Sequence, residues 1–275
     1  MTSVEAIRHH YDVGNEFYRL WLDPSLSYSC AWRAGETTTL EQAQEEKLRR
    51  HLAAAGARAR LLDVGCGWGG ILARAGVPAV GLTLSDEQAA HVRDLGFDVR
   101  VQDWRDHESD ERYDGIVSIG AFEHFAGAGA NPASKIATYR EFFTRCREWL
   151  GDSRTGALSL QTIAYADMNP RDASPFIQQE IFPDAELPTL AEITAAAEGV
   201  LEVTALSNGR LDYAWTCAQW ARRLKAHRVQ ARGLVGPETV ARFERYLTLS
   251  ALGFRMRKLA LYRITLHPYG SRWGA

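Results

Sequence analysis

A cluster of glycines follows a short apolar run that ends next to an acidic residue. The run Leu61–Val64 contains Asp63, and four glycines fall within the next six positions: Gly65, Gly67, Gly69 and Gly70. The pattern predicts a buried strand that turns sharply, with glycines where a ligand presses on the backbone. The apolar stretch 79–84 follows a short helical segment, which predicts a βαβ unit that opens at the carboxyl edge of a parallel sheet.

Two kinds of cofactor fit this turn. Gly65, Gly67 and Gly70 match the spacing of dinucleotide binders, which also need a carboxylate at the end of the second strand. The second strand instead ends in Thr83-Leu84-Ser85, and Asp86 lies in the turn beyond. Asp63, before the glycines, would repel a pyrophosphate but suits a zwitterionic ligand with a sulfonium. The turn therefore favours S-adenosylmethionine.

Length, charge and cysteine content restrict the class of protein. A chain of 275 residues can form one α/β domain over 1–275, and a net charge of -2 argues against nucleic acid as a partner. No apolar run is long enough to span a bilayer, and no signal-peptide pattern opens the chain. The four cysteines are far apart, which predicts neither a metal site nor a disulfide framework. We expect a cytoplasmic enzyme without stable membrane insertion.

Segments at both sides of the glycine turn predict additions to the sheet. Residues 1–55 predict an N-terminal helical cap, broken at Gly14 and ending in a helix from Leu40 to about Ala55 with Glu45, Glu46, Lys47, Arg49 and Arg50 on its solvent face. The proline-rich stretch 164–188 predicts a lid or substrate-channel insertion. Helices are expected over 213–232 and 237–255, and the strand 259–267 is expected to pair with the strand near Val203.

Five blocks of the sequence resemble one enzyme family. They are His10–Tyr18, Leu22–Ala31, the glycine turn, Gly81–Ser85 with Gln88, and Ile119–Phe125. In this order they are similar to the cyclopropane-fatty-acid synthases, including the mycolic acid cyclopropane synthases. The resemblance implies a Rossmann-like class I methyltransferase fold: a seven-stranded, mostly parallel sheet with an antiparallel last strand and helices on both faces.

The resemblance also implies how the cofactor is bound. The methionine end would lie against Tyr28 and Ser29, with Asp63 beside the glycine turn. The remaining contacts would come from residues at the strand ends: Gly65 and Gly67 at the amino-acid moiety, Thr83, Leu84 and Gln88 at the ribose and adenine, and Trp104 packed on the adenine.

In the family that the chain resembles, a cis alkene takes up the methyl group, and a bound bicarbonate removes a proton from the resulting carbocation. Matching motifs place Cys30, Glu123 and Tyr246 at the bicarbonate site. The family's histidine is replaced by Gln161, which can donate a hydrogen bond but cannot carry charge or pass a proton. Bicarbonate binding is therefore left open, with Glu123 as the alternative base.

Three functions remain after the sequence is considered. The first is transfer of a methyl or methylene group to an alkene of an acyl chain, carrier-bound or not, or of a small unsaturated metabolite. The second is methylation of another carbon or of a heteroatom in a specialised metabolite. The third is a nucleotide-binding oxidoreductase or a silent adenosine-binding module.

Overall fold

A seven-stranded sheet forms the centre of the computed structural model, which describes residues 13–127, 129–151, 155–168, 176 and 186–270. The strand order is β3-β2-β1-β4-β5-β7-β6. The strands are β1 Leu61–Val64, β2 Ala79–Thr83, β3 Asp98–Val101, β4 Gly115–Ile119, β5 Leu158–Tyr165, β6 Leu201–Asn208 and β7 Leu259–Pro268.

The helices occupy the segments between the strands and the N-terminal region. They are α1 Asn15–Arg19, α2 Leu40–Ala55, α3 Asp86–Asp94, α4 Pro132–Leu150, α5 Leu190–Ala197, α6 Arg210–Ala226 and α7 Arg228–Arg255. Short 3-10 turns lie at Leu72–Arg74, Trp104–Asp106 and Phe122–His124. Within the described residues no helix is both long and apolar enough to cross a membrane.

The direction of the strands agrees with the predicted fold. Strands β1 to β5 pair with one another in parallel, and β7 is antiparallel to both β5 and β6. The predicted hairpin is confirmed, since Val203 pairs with Leu266. Consequently the carboxyl ends of β1, β2 and β4 lie at one edge of the sheet, where ligands bind in open α/β folds.

Successive residues of the central strands contact helices on opposite faces of the sheet. Leu61 and Val117 pack with Leu48 of α2, whereas Leu62 and Ile116 belong to a core that includes Phe142 of α4. This alternation follows from the period of two in a strand. Both faces are buried, which explains why these strands read as continuous apolar runs.

Helix α2 begins and ends where its sequence predicts. Thr39 and Gln42 form a capping box, in which each side chain bonds the other residue's backbone N–H. The helix ends at Gly56, whose left-handed φ of 67° a glycine adopts without steric cost. The helix is thus fixed at both ends, which sets the side chains that it directs at the sheet.

Several predicted bounds were wrong. Asp86 is the first residue of α3 and not part of a turn, because Ser85 caps this helix by accepting from the Gln88 N–H. Strand β5 continues through Ala164 and Tyr165, which were assigned to the lid, because they pair with β7. The predicted helix 213–232 is two helices that meet at His227.

Other predictions fall on residues that the structure does not describe. Residues 1–12 of the predicted cap, with the motif positions His10, Tyr11 and Asp12, lie outside the described residues. Most of the predicted lid, 169–175 and 177–185, does so as well.

Candidate active site

A cavity of about 620 Å³ opens at the carboxyl edge of the sheet. This volume is in the range of small-molecule sites. It brings together all nine residues predicted to bind the cofactor: Tyr28, Ser29, Asp63, Gly65, Gly67, Thr83, Leu84, Gln88 and Trp104.

The floor of the cavity is the glycine turn. The backbone N–H groups of Gly65 and Cys66 both donate to Leu82 O at 2.9 Å, which ties the turn to β2. Gly65 has a φ of +82°, and a Cβ there would lie 2.5 Å from the Cβ of Ala121. Only glycine fits this position, and the bare backbone faces the space that a ligand would fill.

Two buried charges of opposite sign line the cavity. Burial raises the pKa of Asp63 to about 7, although nearby Lys47 opposes the shift. Burial lowers the pKa of Lys47 to about 8, against the attraction of Asp23, Cys30 and Asp63. Both shifts arise because a buried charge lacks the solvation it has in water. A ligand with both an anionic and a cationic group complements this pair.

The loop that carries Tyr28 and Ser29 is held by hydrogen bonds. The carboxylate of Asp23 accepts from the N–H groups of Ser25 and Ser27, at 2.9 and 3.0 Å. Gln44 of α2 donates to the carbonyls of Ser27 and Ser29, at 3.1 and 3.0 Å. These bonds hold the loop in place as part of the cavity wall.

The ring of Tyr28 belongs to an aromatic cluster beside the cavity. Its centroid lies 5.3 Å from those of Trp21 and Trp220 and 5.4 Å from that of Tyr18. Such packing limits the ring to one orientation. Trp220 is fully buried in this cluster, and the ring of Trp215 lies under the guanidinium of Arg33.

The other end of the cavity has polar strand ends and one large aromatic ring. Thr83 Oγ1 donates to Gln88 Oε1 at 2.8 Å, which links the end of β2 to α3. Trp104 packs on Phe125 and Phe142 while the guanidinium of Arg105 lies 4.2 Å from its ring centre. A flat apolar face with polar neighbours suits a nucleoside.

None of the four predicted catalytic residues lines this cavity, but three of them lie next to residues that do. Cys30 follows Ser29, Glu123 precedes His124, and Gln161 of β5 pairs with Ile119 at the end of β4. The carbonyl of Gln161 also accepts from the Gly120 N–H at 2.9 Å. Cys30, Glu123 and Gln161 are thus placed directly behind the cavity wall.

Glu123 is a buried carboxylate that is only half satisfied. Its Oε1 accepts from the N–H of Ile163 at 2.6 Å, and its Oε2 has no hydrogen-bond partner in the described part of the chain. Burial raises the pKa of Glu123 to about 7, against the effect of the Ile163 N–H. A carboxyl group of this kind can gain or lose a proton near neutral pH.

Gln161 is fixed by a network of buried side chains. Its amide nitrogen donates to Cys30 O at 3.4 Å, and its Oε1 accepts from Arg263 Nε at 3.1 Å. His51 Nε2 lies 3.5 Å from the same oxygen. Burial lowers the pKa of His51 to about 3, so its ring is neutral. Burial raises the pKa of Cys30 to about 12, so its thiol keeps its proton.

Tyr246 and Cys30 both belong to the hydrophobic core that lies around helices α6 and α7. A second tyrosine lies near the predicted catalytic residues. Burial raises the pKa of Tyr213 well above its usual value, and Tyr246, Cys217, Cys30 and Glu123 raise it further. Tyr213 stacks on Phe254, with ring centres 4.6 Å apart. The sequence placed it only at the start of a helix.

Comparison with known proteins identifies the family. The family model "Mycolic acid cyclopropane synthetase" matches residues 1–264. This chain belongs to that family. It is 37% identical to a probable fatty acid methyltransferase of Pseudomonas putida over 98% of this chain and 70% of the relative.

Two solved structures of the mycolic acid cyclopropane synthetase family have the same fold. A cyclopropane synthase from Mycobacterium tuberculosis superposes with a TM-score of 0.85 at 33% identity, covering 96% of this chain and 97% of that one. A mycolic acid cyclopropane synthase in complex with SAH and CTAB gives a TM-score of 0.83 at 32% identity, with coverages of 96% and 97%. The class I methyltransferase fold and S-adenosylmethionine as cofactor are thereby confirmed for this family member.

Lys47 is a site residue that sequence reasoning missed. It was assigned to the solvent face of α2, but its relative exposure is 2%. The helical spacing contained the signal, since Lys47 follows Leu40, Ala43 and Gln44 on the buried face at intervals of three and four. Its charge concealed this, because lysines are rarely buried.

Proposed function

We propose that this chain transfers a methyl or methylene group from S-adenosylmethionine to the alkene of an unsaturated acyl chain or small unsaturated substrate. The cofactor supplies a methyl group on a cationic sulfur. The protein's residues hold this cofactor, exclude water and accept the proton that the product releases.

The observation that carries the proposal is Glu123 Oε2, a buried oxygen next to the cofactor cavity that has no hydrogen-bond partner among the residues the structure describes. Methyl transfer to an alkene leaves a positive charge on carbon, and a proton must then leave for a cyclopropane or a new alkene to form. A buried carboxylate with one oxygen still available is suited to receive it. A heteroatom acceptor would also release a proton, but it would pass through no carbocation.

The surroundings of Gln161 support Glu123 as the base instead of a bound bicarbonate. The Gln161 amide already contacts Cys30 O, Arg263 and His51, and the Cys30 thiol donates to the carbonyl of Ala31. These groups are engaged with one another, so fewer donors remain for an anion. We therefore expect turnover that does not depend on added bicarbonate.

The acceptor is proposed to be an acyl chain, in keeping with the relatives. The P. putida relative is described as a probable fatty acid methyltransferase, and the complexed mycolic acid cyclopropane synthase binds CTAB. A cytoplasmic location is also proposed, because all four cysteines are buried and free.

The test is product analysis with matched acceptors. The purified chain is given S-adenosylmethionine and an unsaturated fatty acid, the same chain on an acyl carrier, a phospholipid vesicle, or the saturated counterpart. A cyclopropane and a methylated alkene have the same mass, so NMR must identify the product. Methyl transfer to the saturated acceptor would contradict the proposal, and so would the absence of transfer to every acceptor.

A variant separates binding from chemistry. Glu123→Gln should bind S-adenosylhomocysteine as the wild type does but should lose at least about a hundredfold in turnover, as expected for a lost general base. Glu198→Gln, an exposed change on the same chain, is the control. Wild-type turnover by Glu123→Gln would exclude Glu123 as the base.

A further inference from the structure

Lys47 is a buried ammonium group in the wall of the cofactor cavity. Its Nζ donates to Ser29 Oγ at 3.0 Å. Among the described residues this is its one hydrogen bond, and no carboxylate there forms an ion pair with it. An ammonium group has three N–H donors, so the present partner leaves hydrogen-bonding capacity unused.

A buried cation is costly unless an anion or several acceptors compensate it. Lys135 is a buried lysine outside the cavity, and its charge is compensated within the protein. Its Nζ is 2.9 Å from Glu192 Oε2 and 2.8 Å from Leu187 O. Within the described ranges Lys47 has no equivalent pair, although it is equally buried. The difference indicates that its anionic partner comes from a ligand.

Asp63 provides the opposite charge in the same wall. Its side chain is 2% exposed and also lines the cavity. The two residues attract each other at a distance without forming an ion pair in the described part of the chain. A cation and an anion separated in this way match the carboxylate and ammonium of an amino acid.

We propose that Lys47, together with the hydroxyl of Ser29, binds the α-carboxylate of the cofactor's methionine moiety. In this arrangement Asp63 interacts with the α-ammonium group of the same moiety. The inference rests on the proposed use of S-adenosylmethionine and adds a binding residue to it. Binding would complete the hydrogen bonding of Lys47 and fix the sulfonium end relative to the glycine turn.

The test compares ligands that differ only in the carboxylate. Calorimetry measures binding of S-adenosylmethionine and of decarboxylated S-adenosylmethionine to the wild type, to Lys47→Met and to the exposed control Lys258→Met. A charge-assisted contact predicts that Lys47→Met weakens S-adenosylmethionine about ten- to a hundredfold and does not weaken the decarboxylated ligand. Undiminished binding of the decarboxylated ligand also shows that the variant is folded.

Equal loss of both ligands, or loss of neither, would overturn the role of Lys47. Failure of the wild type to bind either ligand would instead overturn the proposed function, so the two failures are distinct. A Ser29→Ala background tests direct contact. If Lys47→Met still weakens S-adenosylmethionine in that background, the ammonium contacts the carboxylate itself; no further loss would contradict direct contact.

Discussion

Arg263 of β7 donates from Nε to the side-chain oxygen of Gln161, its pairing partner on β5, at 3.1 Å. Its Nη1 pairs with Asp212 at 2.9 Å, and its Nη2 donates to Ala31 O at 2.9 Å and contacts Cys30 Sγ at 3.5 Å. One buried guanidinium thus connects β7, α6 and the loop that carries Cys30. The glutamine at position 161 is the acceptor that this arrangement requires.

We therefore expect that Gln161→His does not improve the enzyme. Imidazole cannot reproduce both amide contacts, and the adjacent guanidinium disfavours its protonation. The free energy of unfolding should fall by about 1–2 kcal/mol, as for a lost buried hydrogen bond, with reduced turnover. Urea unfolding and product assays check this, with Gln219→His on α6 as the control. Increased, bicarbonate-dependent turnover would contradict it.

The stability of the protein should depend on pH through Glu123. Its pKa is raised to about 7 in the folded protein, so the folded state holds a proton that the unfolded state releases at lower pH. This group alone should make the wild type lose on the order of 3 kcal/mol of unfolding free energy as the pH rises from about 4.5 to above 7. Glu123→Gln cannot titrate and should lack this loss.

Urea unfolding of the wild type and of Glu123→Gln at pH 5 and pH 8 measures this difference. Asp63 titrates in both proteins, so its contribution cancels. The exposed substitution Glu198→Gln should leave the wild-type pH dependence intact. A constant stability difference between wild type and Glu123→Gln at the two pH values would show that the carboxyl group is not perturbed.

Gly65→Ala should weaken both folding and cofactor binding. A Cβ at this position would clash with the Cβ of Ala121, and φ is +82°. We expect a loss of about 1–3 kcal/mol in unfolding free energy and at least about tenfold weaker binding of S-adenosylhomocysteine. Gly96→Ala is a matched control because its φ is +84° with nothing near the added Cβ. Equal effects at both positions would leave only backbone strain as the cause.

Trp104 should contribute to binding through its ring face. Trp104→Phe keeps an aromatic face but reduces its area, so we expect weaker binding of S-adenosylhomocysteine by a few fold, about 0.5–1.5 kcal/mol. Trp149→Phe, in the same core but away from the cavity, should reduce stability comparably without changing affinity. Calorimetry of the two variants decides this. Unchanged affinity in Trp104→Phe would show that the Trp104 ring does not contribute to binding.

Local patterns in the sequence determined the sheet and the cofactor cavity. The glycine turn follows β1 directly, Thr83 is the last residue of β2, and Trp104 lies shortly after β3. Parallel strands bring these carboxyl ends to one edge of the sheet. Which side chains bind the cofactor came from the family resemblance, and the nine residues that it implied line one cavity.

The tertiary structure alone decided which polar residues face inward and what they contact. Lys47 belongs to a helix whose charged neighbours are exposed, and only its packing over the cavity makes it a buried cation. Arg263, Gln161 and Cys30 come from three distant segments, and no local pattern relates them. Helical and strand periods act between neighbours, whereas the partner of a buried charge depends on how the segments pack.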